Sequence, residues 1–165
     1  MKVAVIMGSK SDLPVMEEAT AMLKQFGVDS EMRVLSAHRC PEEVAAFAKG
    51  AFDNGISAII AGAGMAAHLP GVIAAYTTLP VIGVPIDASP LGGIDALLSI
   101  VQMPPGIPVA TVGIGKAGAK NAALLVVEML AIAEPQLKNK LAAYRDTLKK
   151  TVLAADAEMK KKLGC

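Results

Sequence analysis

The feature that most constrains the fold of this chain is a regular alternation of short β-branched runs with longer stretches of helical periodicity. The runs are rich in Val and Ile, which is typical of strands, and the stretches repeat apolar residues at spacings of three and four. The predicted strands cover residues 2–7, 29–35, 56–61, 80–84 and 108–112. The predicted helices cover residues 12–26, 41–54, 69–77, 92–102 and 116–133. This series predicts an α/β fold with a parallel five-stranded sheet covered by helices on both faces.

A last helix is predicted over residues 135–163, where Pro135 fits the first turn and an apolar stripe runs from Leu137 to Met159. At this length the helix would measure roughly 40 Å, more than the width of a small domain. We therefore expect it to pack on a neighbouring subunit. The chain has no internal repeat and no linker, so residues 1–165 are predicted to form one domain.

Composition supports an oligomer and argues against several classes of function. Hydrophobic residues make up 53% of the chain, yet no apolar run approaches the roughly 20 residues of a membrane span, so we expect no membrane partner and some apolar surface buried between subunits. A formal net charge of +1 gives no electrostatic case for nucleic acid. Without a secretory signal pattern or a disulfide framework, a cytoplasmic location is expected.

Three loops are expected at the edge where open parallel sheets bind ligands, outside the carboxyl ends of the strands. The first follows the strand 2–7 and contains Ser9, Ser11 and Asp12. Free backbone N–H groups at a helix start can receive a phosphate. Asp12 could equally bind ribose hydroxyls, and either Ser11 or Asp12 could simply cap the helix.

The second loop contains Ser36, His38 and Arg39, and Pro41 would start the next helix after it. An isolated His–Arg pair is more often a solvated surface feature than a functional one. Its expected place at the ligand edge favours a functional role, and an imidazole there could serve as a general acid or base.

The third loop, residues 62–71, begins with a match to the GxGxxA fingerprint of dinucleotide-binding folds. We discount the match because Pro70 and Gly71 would interrupt any helix begun at Met65. A second glycine match at residues 113–118 has no strand after its helix. His68 could line the site or pack beside Leu69. No metal-binding motif is present, so neither a metal nor a cofactor is expected.

Together these motifs resemble the bacterial N5-carboxyaminoimidazole ribonucleotide mutases. The likeness is carried by residues 7–12, 36–39, 62–71 and 102–109 and extends through 115–118 and 121–125, in order and with spacing intact. It implies transfer of a carboxyl group from the exocyclic N5 of a small ribonucleotide substrate to ring carbon C4, in purine (IMP) biosynthesis, without metal, biotin or ATP. It also implies a flavodoxin-like three-layer α/β/α sandwich assembled as a homo-octamer, with C-terminal helices reaching across subunits.

The resemblance implies that His38 is the catalytic acid and base. It matches Ser9, Asp12 and Arg39 to ligand-binding positions and the third loop to one that closes over the imidazole and carboxyl group. The expected substrate-binding residues are Ser9, Ser11, Asp12, Ser36, Arg39, Gly62, Ala63, Gly64, Ala66, His68 and Leu69.

Other functions remain as alternatives. The first is an aminoimidazole ribonucleotide carboxylase that uses free CO2, a sister branch with Lys in place of Arg39 and a Gly-Arg-Ser-Asn type third loop. This chain has neither, so the mutase is preferred. Small departures from the mutase pattern, at Cys40, Met65 and Asp87, concern loop geometry. A non-catalytic phosphoribosyl-binding module and a nicotinamide-dependent oxidoreductase are the remaining alternatives.

Overall fold

The computed structural model describes residues 1–66 and 68–164 and contains a five-stranded sheet and six α-helices in that part of the chain. The strands are β1 (Lys2–Met7), β2 (Asp29–Val34), β3 (Ile56–Gly64), β4 (Val81–Ile86) and β5 (Ala110–Thr111). The helices are α1 (Leu13–Phe26), α2 (Pro41–Gly50), α3 (Leu69–Ala74), α4 (Ile94–Val101), α5 (Gly115–Leu130) and α6 (Pro135–Leu163). The contacts within the chain divide it into two compact units, Met1–Val126 and the segment that begins at Val127. The single domain expected over residues 1–165 stays a prediction.

The five strands are parallel and lie in the order β2, β1, β3, β4, β5. The chain places β2 on one side of β1 and then crosses back to place β3 on the other side. This is the flavodoxin-like order, and the reversal brings the carboxyl ends of β1 and β3 together at the usual ligand-binding edge. The predicted α/β sandwich around a parallel five-stranded sheet is confirmed.

Both faces of the sheet are covered by helices. Ala4 and Ile6, which alternate along β1, pack in a core with residues of α2, α3 and α4. The helix α1 contacts β1 and β2, and its Glu18 forms an ion pair with Lys120 of α5 at 3.3 Å, which places α1 and α5 side by side. The core consists mostly of small aliphatic side chains, as the near absence of aromatic residues requires.

Several elements end at other residues than predicted, and the causes are local. The helix α4 begins at Ile94 instead of residue 92 because Gly92 and Gly93 both have positive φ, which an α-helix does not accept. The strand β5 is limited to Ala110–Thr111, and Pro108 has no N–H to donate to a ladder. The strand β3 continues to Gly64, beyond the predicted end, and so delivers the third loop at the edge of the sheet.

The second unit contains the end of α5 and the helix α6, which begins and ends as predicted. Gly164 caps the end of the helix with φ 70°, and three lysines in the last turn complement the negative end of the helix dipole. Most of its residues are exposed, including the large apolar residues Leu148, Val152, Leu153 and Met159. Packing of α6 on a neighbouring subunit stays a prediction. In the ranges 1–66 and 68–164, no helix combines the length and apolar character that a membrane span needs.

Candidate active site

A cavity of about 640 Å³ opens at the carboxyl edge of the sheet, a volume within the usual range of small-molecule sites. Its polar lining comes from the loops after β1 and β2 and consists of Ser9, Ser11, Asp12, Ser36, His38 and Arg39, with Gly8 and Ala37 beside them. Its apolar lining comes from the end of β3, the residues after it, the start of α3 and the segment after β4, and consists of Ala63, Gly64, Met65, Ala66, Leu69 and Ala88. Because the sheet order is β2, β1, β3, β4, the polar residues enter from one side and the mostly apolar residues from the other.

The loop after β1 is held by its own hydrogen bonds. The Ser9 hydroxyl accepts from the Ser11 backbone N–H at 3.3 Å, and the Ser9 backbone N–H donates to the Asp12 carboxylate at 3.1 Å. This capping box closes a short 3-10 turn, Lys10–Asp12, which leads directly into α1. The sequence left open whether this loop caps the helix or lines a binding site. The structure shows that the capped turn also lines the cavity.

Asp12 is the charged residue of this loop that the fold buries, with 6% of its surface exposed. Burial raises the pKa of its carboxyl group, while hydrogen bonds from the Ser9 N–H and the Ser11 hydroxyl and the charge of Arg39 act to lower that pKa. The carboxylate is thus partly desolvated and fixed in position. Such a group is suited to accept hydrogen bonds from a ligand's hydroxyls.

The loop after β2 is a tight turn closed by Cys40 onto Ser36. The Cys40 N–H donates to the Ser36 carbonyl at 2.9 Å, and the Cys40 Sγ accepts from the Ser36 N–H at 3.1 Å. The turn leaves Ala37, His38 and Arg39 projecting between these two residues, and α2 begins immediately after it, at Pro41, as predicted. The thiol of Cys40 therefore stabilises the turn that carries the histidine.

Arg39 connects the two polar loops. Its Nη2 donates to the Gly8 carbonyl at 2.7 Å, and its Nε donates to the Ser36 hydroxyl at 3.3 Å. The side chain is nevertheless exposed at the cavity. A guanidinium held in this way presents a fixed positive charge beside the loop after β1, which suits an anionic group of a ligand.

His38 is exposed and stands opposite His68, which immediately precedes α3. The two rings meet edge to face with their centroids 6.2 Å apart and an interplanar angle of 70°. The strands β2 and β3 both neighbour β1, so the loops that follow them converge over its carboxyl end. The second histidine of the chain is thereby placed against the first.

The end of β3 approaches the end of β4 closely. A Cβ added at Gly64 would lie 2.6 Å from the Cβ of Ala88, closer than real Cβ atoms come to one another. Gly64 thus allows the two segments that form the apolar side of the cavity to lie in contact, and Ala88, two residues after β4, lines that side. Met65 follows with a left-handed backbone at φ 57° and an exposed side chain.

The cavity brings together most of the residues predicted to bind substrate. Gly62 and His68 are not among the residues that line it. Gly62 lies inside β3, and a side chain there would point at Met16 of α1 instead of the cavity. Ala67, part of the predicted loop motif, lies outside the described residues.

Four lining residues were not among those predicted to bind substrate, namely Gly8, Ala37, Met65 and Ala88. The first three lie within the three predicted ligand-edge loops. Ala88 has no polar chemistry of its own, and the only signal for it was its place just after a predicted strand. Among the residues that the structure describes, no three His, Cys, Asp or Glu side chains come together as metal ligands.

Comparisons with known proteins agree with this geometry. A family model described as AIR carboxylase matches residues 2–151. The N5-carboxyaminoimidazole ribonucleotide mutase of Pyrococcus abyssi is 62% identical over 149 residues, which cover 90% of this chain and 84% of the relative. The protein of the same name from Mycobacterium tuberculosis H37Rv is 56% identical over 163 residues, which cover 99% of this chain and 92% of the relative.

A solved structure supports the fold along nearly the whole chain. The crystal structure of Treponema denticola PurE superposes with a TM-score of 0.85 at 26% sequence identity. The superposition covers 96% of this chain and 98% of that one. The similarity thus extends over the sheet, its helices and the cavity edge.

Proposed function

This chain belongs to the AIR carboxylase family, and from that premise we propose that it is an isomerase, an N5-carboxyaminoimidazole ribonucleotide mutase. Its reaction is the conversion of N5-carboxyaminoimidazole ribonucleotide to 4-carboxy-5-aminoimidazole ribonucleotide in purine biosynthesis. The observation that carries the proposal is 62% identity to a mutase over 90% of the chain, in a protein whose cavity has His38 on its polar wall and an apolar wall on the other side.

The two walls of the cavity match the two ends of this substrate. The fixed guanidinium of Arg39 and the backbone N–H groups of the loop after β1 suit the phosphate. The buried carboxylate of Asp12 suits the ribose hydroxyls, and Ser9, Ser11 and Ser36 supply further hydroxyls. The aminoimidazole and its carboxyl group then lie against the apolar wall, which Ala63, Gly64, Ala66 and Leu69 help to form.

His38 is the proposed proton carrier. A protonated imidazole donates to N5, the bond between N5 and the carboxyl carbon breaks, and CO2 is released inside the cavity. C4 then attacks the carbon of CO2, and the proton that C4 carried passes to the imidazole, which returns to its starting state. Atoms and protons balance without a further reactant, so no metal or cofactor is required by this route.

Retention of CO2 is the second requirement of this route. CO2 escapes as soon as the cavity opens to water, and the free intermediate would then have to recapture it from solution. The apolar wall supports retention because its side chains offer no hydrogen bonds that would bring water to the reacting atoms, and it would hold C4 and CO2 in one small volume.

The proposal includes assembly as a cytoplasmic homo-octamer. Four apolar residues spaced by three and four along α4 and the turn before it are exposed, namely Leu91, Ile94, Leu98 and Val101. A contiguous apolar stripe of this kind is typical of a subunit interface. The exposed apolar residues of α6 support the same expectation for the C-terminal helix.

A second candidate is the carboxylase that the family description names, which would take free CO2. The mutase and the carboxylase differ in the substrate that they use, and this difference can be tested. Purified protein is incubated with the N5-carboxylated ribonucleotide in CO2-depleted buffer without ATP, and in parallel with the uncarboxylated ribonucleotide and bicarbonate. The mutase produces 4-carboxylated product in the first mixture. A rate that depends on dissolved CO2, with no direct use of the carboxylated substrate, would establish the carboxylase instead.

A further inference from the structure

Cys40 occupies the cap position of α2, yet its side chain makes no capping hydrogen bond to the helix. A polar side chain at such a position usually accepts from the free N–H groups of the first helical turn. The thiol of Cys40 instead contacts Ser36, where its Sγ accepts from the backbone N–H at 3.1 Å and donates to the carbonyl at 3.3 Å. This side chain is therefore committed to the turn before the helix.

These bonds close the turn on both sides of His38. Together with the bond from the Cys40 N–H to the Ser36 carbonyl at 2.9 Å, they form a set of three hydrogen bonds that we call the turn clamp. The strand β2 ends at Val34, so the sulfur gives the Ser36 N–H a partner beyond the end of the strand. A partly buried N–H that loses its partner costs free energy, so the clamp favours one backbone conformation of the turn.

The two functional side chains of the turn depend on the clamp to different degrees. Arg39 has an anchor outside the turn, because its Nη2 donates to the Gly8 carbonyl at 2.7 Å. His38 is exposed, and the side-chain contact that the structure describes for it is the edge-to-face contact with His68. The position of the imidazole is therefore set mainly by the backbone that the clamp holds.

We propose that Cys40 is a positioning residue for the proton transfers of His38 and acts through the turn clamp. This inference rests on the proposed function. The imidazole must reach N5 to donate a proton and C4 to accept one, and a small displacement of a catalytic group lowers the rate steeply. Loss of the clamp slows these transfers, whereas the nucleotide still binds because Arg39 keeps its bond to Gly8. The role requires an atom that both accepts and donates, so a hydroxyl can replace the thiol.

The test compares two variants of the same shape. Cys40→Thr keeps an atom that accepts and donates, and Cys40→Val replaces that atom with a methyl group. Cys40 packs against the core, and both variants add the same volume there, so a difference between them reports the hydrogen bonds and not the packing. Cys40→Ser and Cys40→Ala form a second pair without the extra methyl group.

For each protein, kcat and KM for the N5-carboxylated ribonucleotide are measured in H2O and in D2O, and thermal unfolding shows that the protein is folded. In Cys40→Val, kcat is expected to fall roughly tenfold while KM stays within about twofold of the wild type. The ratio of kcat in H2O to kcat in D2O should rise, because slower proton transfer limits the rate more strongly. Cys40→Thr should stay close to the wild type in all three quantities, and the Ser and Ala pair should behave in the same way.

Four results would overturn the proposal. A wild-type kcat in Cys40→Val would show that the clamp is unnecessary, and an equal loss in Cys40→Thr would show that packing is the cause. A lower kcat with an unchanged isotope ratio would mean fewer active molecules. A higher KM with an unchanged kcat would assign the clamp to nucleotide binding.

Failure of this inference and failure of the proposed function are distinguishable. If the wild type itself forms no 4-carboxylated product, the proposed function fails, and the role of Cys40 fails with it. If the wild type forms the product and Cys40→Val matches its kcat, only the role of Cys40 fails.

Discussion

The ring of His38 meets the ring of His68 edge to face at a centroid distance of 6.2 Å. The contact joins the turn after β2 to the residue before α3, across the carboxyl end of β1. His68 is not part of the cavity lining, so its effect on a ligand would pass through His38. An aromatic pair of this geometry contributes about 0.5–1.5 kcal/mol and restrains both rings.

Removal of the His68 ring is expected to slow the reaction by loosening His38. His68→Ala should lower kcat roughly two- to tenfold, with a smaller change in KM, because the contact energy restrains the proton carrier and not the substrate. His68→Phe restores an aromatic edge and should recover most of the loss. Steady-state kinetics of the three proteins check this. A wild-type kcat in His68→Ala would show that the contact has no part in positioning.

The buried carboxyl of Asp12 makes stability depend on pH. Its pKa is raised in the folded protein, chiefly by burial, so the folded state binds the proton more tightly than the unfolded state. Between the ordinary and the raised pKa, stability is therefore lost as pH rises. Asp12→Asn removes the titrating carboxyl group. The free energy of unfolding of the variant minus that of the wild type should therefore increase from about pH 4 toward neutral pH. Urea unfolding across this range measures it, and a relative stability that falls with pH would contradict the assignment.

The close approach of Gly64 to Ala88 predicts a large effect of a single methyl group. Gly64→Ala should lower the free energy of unfolding by about 1–3 kcal/mol, because the new Cβ would lie 2.6 Å from the Cβ of Ala88 and the segment after β4 must move away from β3. Gly8→Ala is the matched control from the same cavity, since nothing lies within 4 Å of a Cβ there. Equal stabilities of the two variants in urea would mean that the loops yield freely.

The apolar stripe on α4 predicts a change of assembly. Leu98 is 51% exposed in the centre of the stripe, and Leu98→Asp places a charge where a subunit interface is proposed. The variant should sediment as a smaller species than the wild type while it keeps its secondary structure. Thr78→Asp, at an exposed polar position outside the stripe, serves as the control. An unchanged sedimentation coefficient for Leu98→Asp would exclude this face from the interface.

The fold was largely predictable because its signals are local. Periodicity located all five strands and six helices, and the bounds of β1 and α6 match the prediction. Where the observed bounds of an element differ from the predicted ones, the cause is a backbone conformation that the residue types alone do not specify. The positive φ of Gly92 and Gly93 before α4 is an example. The order of the strands is a tertiary property, and the periodic pattern alone did not determine it.

The residues of the site that have polar or charged side chains were predictable from the sequence. The hydroxyl groups, the charged groups and the imidazole were identified because they follow predicted strands. Ala88 was missed because an apolar side chain carries no such signal. Gly62 was wrongly placed in the cavity lining because its position on β3 faces Met16. Both faces of β3 are buried, so its sequence does not alternate between polar and apolar residues and does not show which face each residue occupies.

If His38 carries the proton between N5 and C4, its loss must slow carboxyl transfer itself, which is measured as the rate in His38→Asn at saturating N5-carboxylated ribonucleotide. His38 is exposed, so the variant should fold and bind the nucleotide with an affinity close to that of the wild type. The transfer rate is expected to fall by about 10²–10⁴-fold, the usual contribution of a positioned acid and base. A rate within about tenfold of wild type would contradict it.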